Sequence, residues 1–124
     1  VPIDCTYKAV MTPGWLKDLR NVGKKTAVEA AGMAEFYQRW GNTKFGTDEY
    51  PLHDPCVIGY LLRPELFKGR NCYVTIEIAS PTTIGMTVVD WWNVTKQAPN
   101  CMVLRDLDNP PFYQLMLERI SRLP

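Results

Sequence analysis

The sequence predicts an α/β chain in which a helical first half precedes a strand-rich second half. Two observations carry this. In "KKTAVEAAGMAEFYQRWG", Ala27, Ala30, Ala31, Ala34, Tyr37 and Trp40 recur at helical spacing. In "NCYVTIEIAS", β-branched residues alternate with polar ones, and comparable strand patterns recur in "TIGMTVVDWWNV" and "NCMVLRDLD". The order reads strand, three helices, three strands, helix, with no internal repeat and no low-complexity segment.

Taken in order, "VPIDCT" reads as a short strand. "TPGWLKDLRNVG" reads as a helix with Thr12 as N-cap, Pro13 at the first helical position and Gly23 as its stop. The alanine-rich helix follows, closed by Gly41. "NTKFGTDEYPL" is a polar loop between two helices, a common place for a site. "DPCVIGYLLRPELF" is then a helix with Asp54 as N-cap and Pro55 as first helical residue. Residues 56–62 have almost no polar face, so that helix is expected to be buried on most sides. The short connection "SPTT" makes the first two of the later strands an antiparallel hairpin. "NPPFYQLMLERISRL" closes the chain as a helix capped by Asn109, with Phe112, Leu115, Met116, Arg119 and Ile120 on adjoining faces.

A length of 124 residues suits one domain over 1–124 with a core of its own. A formal net charge of +1 gives no reason to expect nucleic acid or an anionic membrane as partner. Lys24 and Lys25 are the only adjacent lysines and read as a solvated helix start. No apolar run approaches the roughly 20 residues of a membrane span. "VPIDCTYK" has neither the basic nor the apolar region of a signal peptide, and it opens abruptly on a strand-like segment, as if further chain preceded it. The four cysteines form no CxxC pair and sit in apolar segments, so reduced, buried thiols of a cytosolic protein are expected. The "NVT" at residues 93–95 is a short motif that arises often by chance. No GxSxG elbow, GxGxxG or P-loop is present.

"EYPLHDPCVIGYLL" holds the single histidine of the chain, His53. A histidine can move a proton or bind a metal near neutral pH, and an adjacent aspartate can bind a hard cation. Two readings stand side by side. In one, Asp54 caps a helix and His53 merely precedes it. In the other, both line a cleft. A zinc reading of His53 and Cys56 as "HxxC" has only scattered cysteines from which to draw its other ligands. The aromatics Phe36, Tyr37, Trp40, Phe45 and Tyr50 can stack on a flat ring, or simply pack in the core. "DWW" at residues 90–92 reads as packing at a strand end.

Together these segments resemble one family. "PLHDPCVIGYLLRPELF" closely resembles the "PLHDP" segment of the inosine-uridine-preferring nucleoside hydrolases. "VPIDCTYKAVMTP" is similar to the family's strand-and-turn of the type "GLDVTHKALMTP", and "GMTVVDWW" followed by "NCMVLRDLD" is similar to its C-terminal strands. The whole chain thus resembles the C-terminal part of that family. The resemblance implies a Rossmann-like mixed sheet with flanking helices and a C-terminal antiparallel hairpin. It implies hydrolysis of the N-glycosidic bond of purine or pyrimidine ribonucleosides to ribose and free base, assisted by calcium, in a cytoplasmic enzyme of nucleoside salvage. His53 would be the proton donor to the leaving base, and Asp54 a calcium and ribose ligand. Tyr37 and Phe45 would be base contacts. The family's "DxDxxxDD" motif, its mid-chain carbonyl ligand and its asparagine-glutamate-asparagine group are absent, and Ile84 stands where the family usually has arginine. The resemblance therefore implies a partner, the N-terminal portion of the same enzyme, and a homo-oligomer, dimer or tetramer. The alternative is a non-catalytic α/β module of the same fold.

Overall fold

The computed structural model describes residues 1–124, the side chain of Phe45 excepted. Its first element is a single helical turn, α1 (Ile3–Thr6), where a strand was expected. The amides of Cys5 and Thr6 both donate to the Pro2 carbonyl, at 3.0 and 3.2 Å. That closes a turn which puts Cys5 and Thr6 inside. The strand that follows, β1 (Val10–Met11), pairs antiparallel with β2 (Tyr50–Pro51), Val10 opposite Pro51.

Helix α2 (Pro13–Asn21) begins as its sequence predicts: Thr12 Oγ1 accepts from the Trp15 amide at 3.2 Å, and Pro13 takes the first helical position. Helix α3 (Lys25–Phe45) runs through Gly41, the expected stop, and ends at Gly46, which is left-handed at φ +69. Gly41 serves packing instead. A Cβ there would collide with the Tyr50 ring, so the glycine lets α3 lie against β2. Gly41→Ala should therefore destabilise the fold by about 1–3 kcal/mol, although alanine is the better helix former by ~1 kcal/mol. Urea unfolding checks this; an unchanged or raised midpoint would contradict the close approach.

Helix α4 (Pro55–Leu62) is shorter than expected. Arg63 precedes Pro64, and a residue before proline is pushed out of the helical region; its dihedrals are φ −144, ψ 68. A 3-10 turn (Pro64–Leu66) then leads into β3 (Phe67–Ile76). β3 is the centre of a three-stranded sheet, flanked by β4 (Thr87–Asp90) and β5 (Cys101–Leu107). The expected hairpin is β3–β4, with Tyr73 opposite Asp90 and Ile76 opposite Thr87. Every strand pairing among the described residues is antiparallel, so the parallel strands of a mixed sheet are not formed within them. Helix α5 (Asn109–Ile120) is preceded by Asp108, not capped by Asn109. Asn109 is already inside the helix, and its Nδ2 donates to the Val10 carbonyl at 3.1 Å, tying α5 to β1.

The core gathers around Phe112, which is fully buried together with Cys5, Met11 and Cys56. The rings of Phe67 and Tyr113 meet it edge-on at 6.1 and 5.3 Å. Gly59 of α4 lies so close that a Cβ would stand 2.6 Å from the Phe112 ring. A second cluster of Leu19, Ala27 and Ala31 joins α2 to α3, and Trp15 packs against both.

Three expectations about burial change. α4 buries only Cys56 and Gly59, while Val57, Ile58 and Leu61 are exposed, Leu61 by 72%. The reason is coverage: α5 meets one side of α4, leaving a groove of about 290 Å³ lined by Ile58, Leu62, Leu115 and Ile120. All four cysteines are free, yet only Cys5, Cys56 and Cys72 are buried; Cys101 opens the edge strand β5 and is exposed. Trp92 is 76% exposed. Trp91 meets cations, with the Arg70 and Arg105 guanidiniums 4.3 and 4.9 Å from its ring centroid. Among the described residues no helix is long and apolar enough to cross a membrane.

Candidate active site

The β1–β2 pairing brings the segment after α1 alongside the residues before α4. Leu52 N donates to the Ala9 carbonyl at 3.0 Å, which places His53 over α1. His53 Nδ1 lies 2.7 Å from Thr6 Oγ1. The Tyr7 ring meets the imidazole edge-on, centroids 5.2 Å apart. His53 is half-buried and held on two sides by α1 and the residue after it.

The Thr6 hydroxyl has one proton and two neighbours, since the Ile3 carbonyl lies 3.2 Å away. With that proton on the Ile3 carbonyl, Thr6 accepts from Nδ1–H, the arrangement an imidazolium requires. With the hydroxyl turned the other way, Thr6 donates to an unprotonated Nδ1. In either state Nδ1 is satisfied by Thr6, so Nε2 is the nitrogen left for a ligand.

Asp54 does not cap α4. Its dihedrals are helical, φ −61 and ψ −41, and its side chain makes no capping hydrogen bond. Capping needs an extended backbone that folds the carboxylate back over the first turn. Asp54 instead carries an exposed carboxylate one residue beyond His53. The position of the pair is set from below by Cys56, fully buried, whose amide donates to the His53 carbonyl at 3.1 Å. Its thiol lies 3.4 Å from the Leu52 carbonyl. Burial, helped by the neighbouring Cys5 thiol, pushes the Cys56 thiol up to about 11. The "HxxC" pair finds no third His, Cys, Asp or Glu ligand among the described residues.

Tyr37, near the end of α3, stands edge-on to Tyr50 at 4.6 Å and stacks on Trp40 at 6.2 Å. Burial raises its phenol pKa, as do Tyr50 and, more weakly, Tyr7 and Asp54. Phe36 points away and is 68% exposed. The side chain of Phe45 lies outside the described residues.

Thr6 and Tyr7 are site neighbours that sequence reasoning passed over, because "VPIDCT" read as a strand with no chemical task. The only available signal was the hydroxyl inside a segment that the resemblance covers. As for metal, no group of three or more His, Cys, Asp or Glu side chains among the described residues could hold one. Asp54 alone does not meet calcium's six to eight oxygens. The described residues therefore form no calcium site by themselves.

The HDP turn joins β2 to α4 over the single turn α1, and the chain that carries it falls in a known class. The family model for the inosine-uridine preferring nucleoside hydrolases matches residues 1–114, and the chain belongs to that family, to whose C-terminal part it corresponds. A pyrimidine-specific ribonucleoside hydrolase of Klebsiella pneumoniae is 34% identical over 120 residues, covering 96% of this chain and 39% of its own length. An uncharacterized protein of Schizosaccharomyces pombe is 35% identical over 124 residues, 100% of this chain and 40% of its own length. Among solved structures, a purine-preferring ribonucleoside hydrolase from Gardnerella vaginalis superposes with a TM-score of 0.82 at 24% identity, covering 98% of this chain and 38% of its own. At that identity the likeness shows the fold. The chain spans about two fifths of the length of the relatives it matches.

Proposed function

We propose that this chain supplies part of the active site of a ribonucleoside hydrolase, with His53 as proton donor to the leaving base. One observation carries the reading: Thr6 holds His53 through Nδ1, and the next residue presents a carboxylate that no cap engages. Hydrolysis adds water across the bond from the ribose anomeric carbon to the base nitrogen. The base departs with the bonding electrons and needs a proton, which His53 Nε2 gives. Before the transfer Thr6 accepts from the imidazolium Nδ1–H while its own hydroxyl donates to the Ile3 carbonyl, and loss of the Nε2 proton leaves a neutral imidazole with Nδ1–H still on Thr6. Asp54 accepts hydrogen bonds from ribose hydroxyls and serves as one calcium ligand. Bound calcium would orient the ribose and the attacking water; the remaining oxygens would come from outside these residues. Tyr37 and Phe45 are the proposed base contacts. The exposed apolar side of α4 supports a fold that is completed by further chain. The names of the relatives, one pyrimidine-specific and one purine-preferring, support the ribonucleoside class and leave the base open.

A reducing-sugar assay with inosine, uridine and cytidine tests the reading. The chain is assayed alone, then co-expressed with the N-terminal part of a family member, with and without chelator. Ribose release only from the combination, abolished by chelation, is the expected result. No release under any condition would favour the non-catalytic module. In the active combination, Thr6→Val should lower kcat about 10-fold by removing a hydrogen bond to a charged partner, and Thr6→Ser should restore it. Equal losses in the Val and Ser variants would show that Thr6 acts through packing alone.

A further inference from the structure

Cys72 and Cys101 are direct partners in the β3–β5 ladder. Their side chains therefore leave the same face of the sheet, one strand spacing apart. Directly opposite residues of an antiparallel pair have Cα atoms about 4.5–5.5 Å apart, within the roughly 4.4–6.8 Å that a disulfide spans. The two differ in access: Cys72 is 3% exposed, whereas Cys101 is exposed on an edge strand. Both are free thiols, and Cys101 Sγ lies 3.6 Å from the carbonyl of Met102. Rotation about the Cys101 Cα–Cβ bond swings the sulfur from that carbonyl toward Cys72. The other two thiols, Cys5 and Cys56, are fully buried in the core and offer no such entry.

We propose that Cys72 and Cys101 are an oxidisable dithiol, closed to a cross-strand disulfide by a peroxide-class oxidant. Peroxide oxygen is transferred to the exposed Cys101 sulfur, giving a sulfenic acid and one water. The Cys72 sulfur attacks that sulfur, the S–O bond breaks, and the oxygen leaves as a second water with the Cys72 proton. Two thiols are oxidised by two electrons and one peroxide is reduced. The bond clamps both ends of the segment that carries β4, Trp91 and Trp92, and it stands independently of the hydrolase reading.

The test is to treat the full chain with hydrogen peroxide, alkylate it, and take the intact mass and a non-reducing peptide map. Before alkylation the expected change is a loss of about 2 Da, reversed by dithiothreitol. The map should show one crosslink, joining the Cys72 and Cys101 peptides. Cys72→Ser and Cys101→Ser should each abolish the crosslink, and Cys5→Ser should leave it intact. Circular dichroism of the Cys101→Ser variant, a surface change, confirms that its loss of reaction is not unfolding. The proposal is overturned by a crosslink between Cys5 and Cys56, by a disulfide between two chains through Cys101, by Cys101 advancing to a sulfinic acid without crosslinking, or by no reaction.

Discussion

Replacing His53 with alanine is expected to lower ribose release by about 100- to 10,000-fold, the range lost with a general acid. The measurement is kcat on inosine and uridine for the chain combined with the N-terminal part of a family member. No other histidine exists in the chain to take over. Tyr37, a proposed base contact, has its phenol pKa raised by burial, which makes it a poorer acid. A riboside with a nitrophenolate leaving group separates chemistry from damage, because that group departs without a proton. The variant should keep most of its activity on such a substrate. Equal losses on both would mean that His53 holds structure and does not deliver the proton.

Phe112→Ala is expected to cost about 3–5 kcal/mol of stability, the range for deleting a large ring from a sealed core. Phe112 is fully buried, and its contacts come from several elements: Phe67 of β3, Tyr113 of α5 and Gly59 of α4. The gap can close only by moving elements that are themselves tethered. Tyr113 Oη donates to the Ala9 carbonyl at 2.7 Å, and Trp15 Nε1 to the Tyr113 carbonyl at 3.1 Å. A urea-unfolding difference below about 1 kcal/mol would mean the surrounding elements collapse freely onto the site.

Helix α2 was legible in the sequence from Thr12 and Pro13 at its start and Gly23 at its end, α3 and α5 because their apolar residues repeat over several turns, and the hairpin because β-branched alternation flanked a short polar link. What escaped depended on tertiary partners. Gly41 resembles a stop, but Tyr50, nine positions on, turns it into a packing site. Asp54 and Asn109 have good cap chemistry, but neither backbone is extended at the position a cap requires. The first turn misled because four residues are too few for any periodicity to show. Of the site, His53 and Asp54 stood out by residue type and by the motif around them. Their neighbours Thr6 and Tyr7 come from a segment 47 positions away in the case of the Thr6–His53 contact, a distance that no local pattern encodes.

The helical dihedrals of Asp54 set up a tension between endurance and chemistry. By turning its carboxylate outward, α4 forgoes the ~1 kcal/mol that an extended capping residue contributes. The helix leans on the preset φ of Pro55 and on the sealed Cys56 beneath it. A lineage drifting toward greater robustness would find an easy gain in relaxing residue 54 to the extended form, folding its oxygen back over the helix. The same motion would withdraw the group from any ligand. Members of the family that have abandoned catalysis should therefore betray themselves at this one backbone angle, by a helix that is better begun and a carboxylate turned inward.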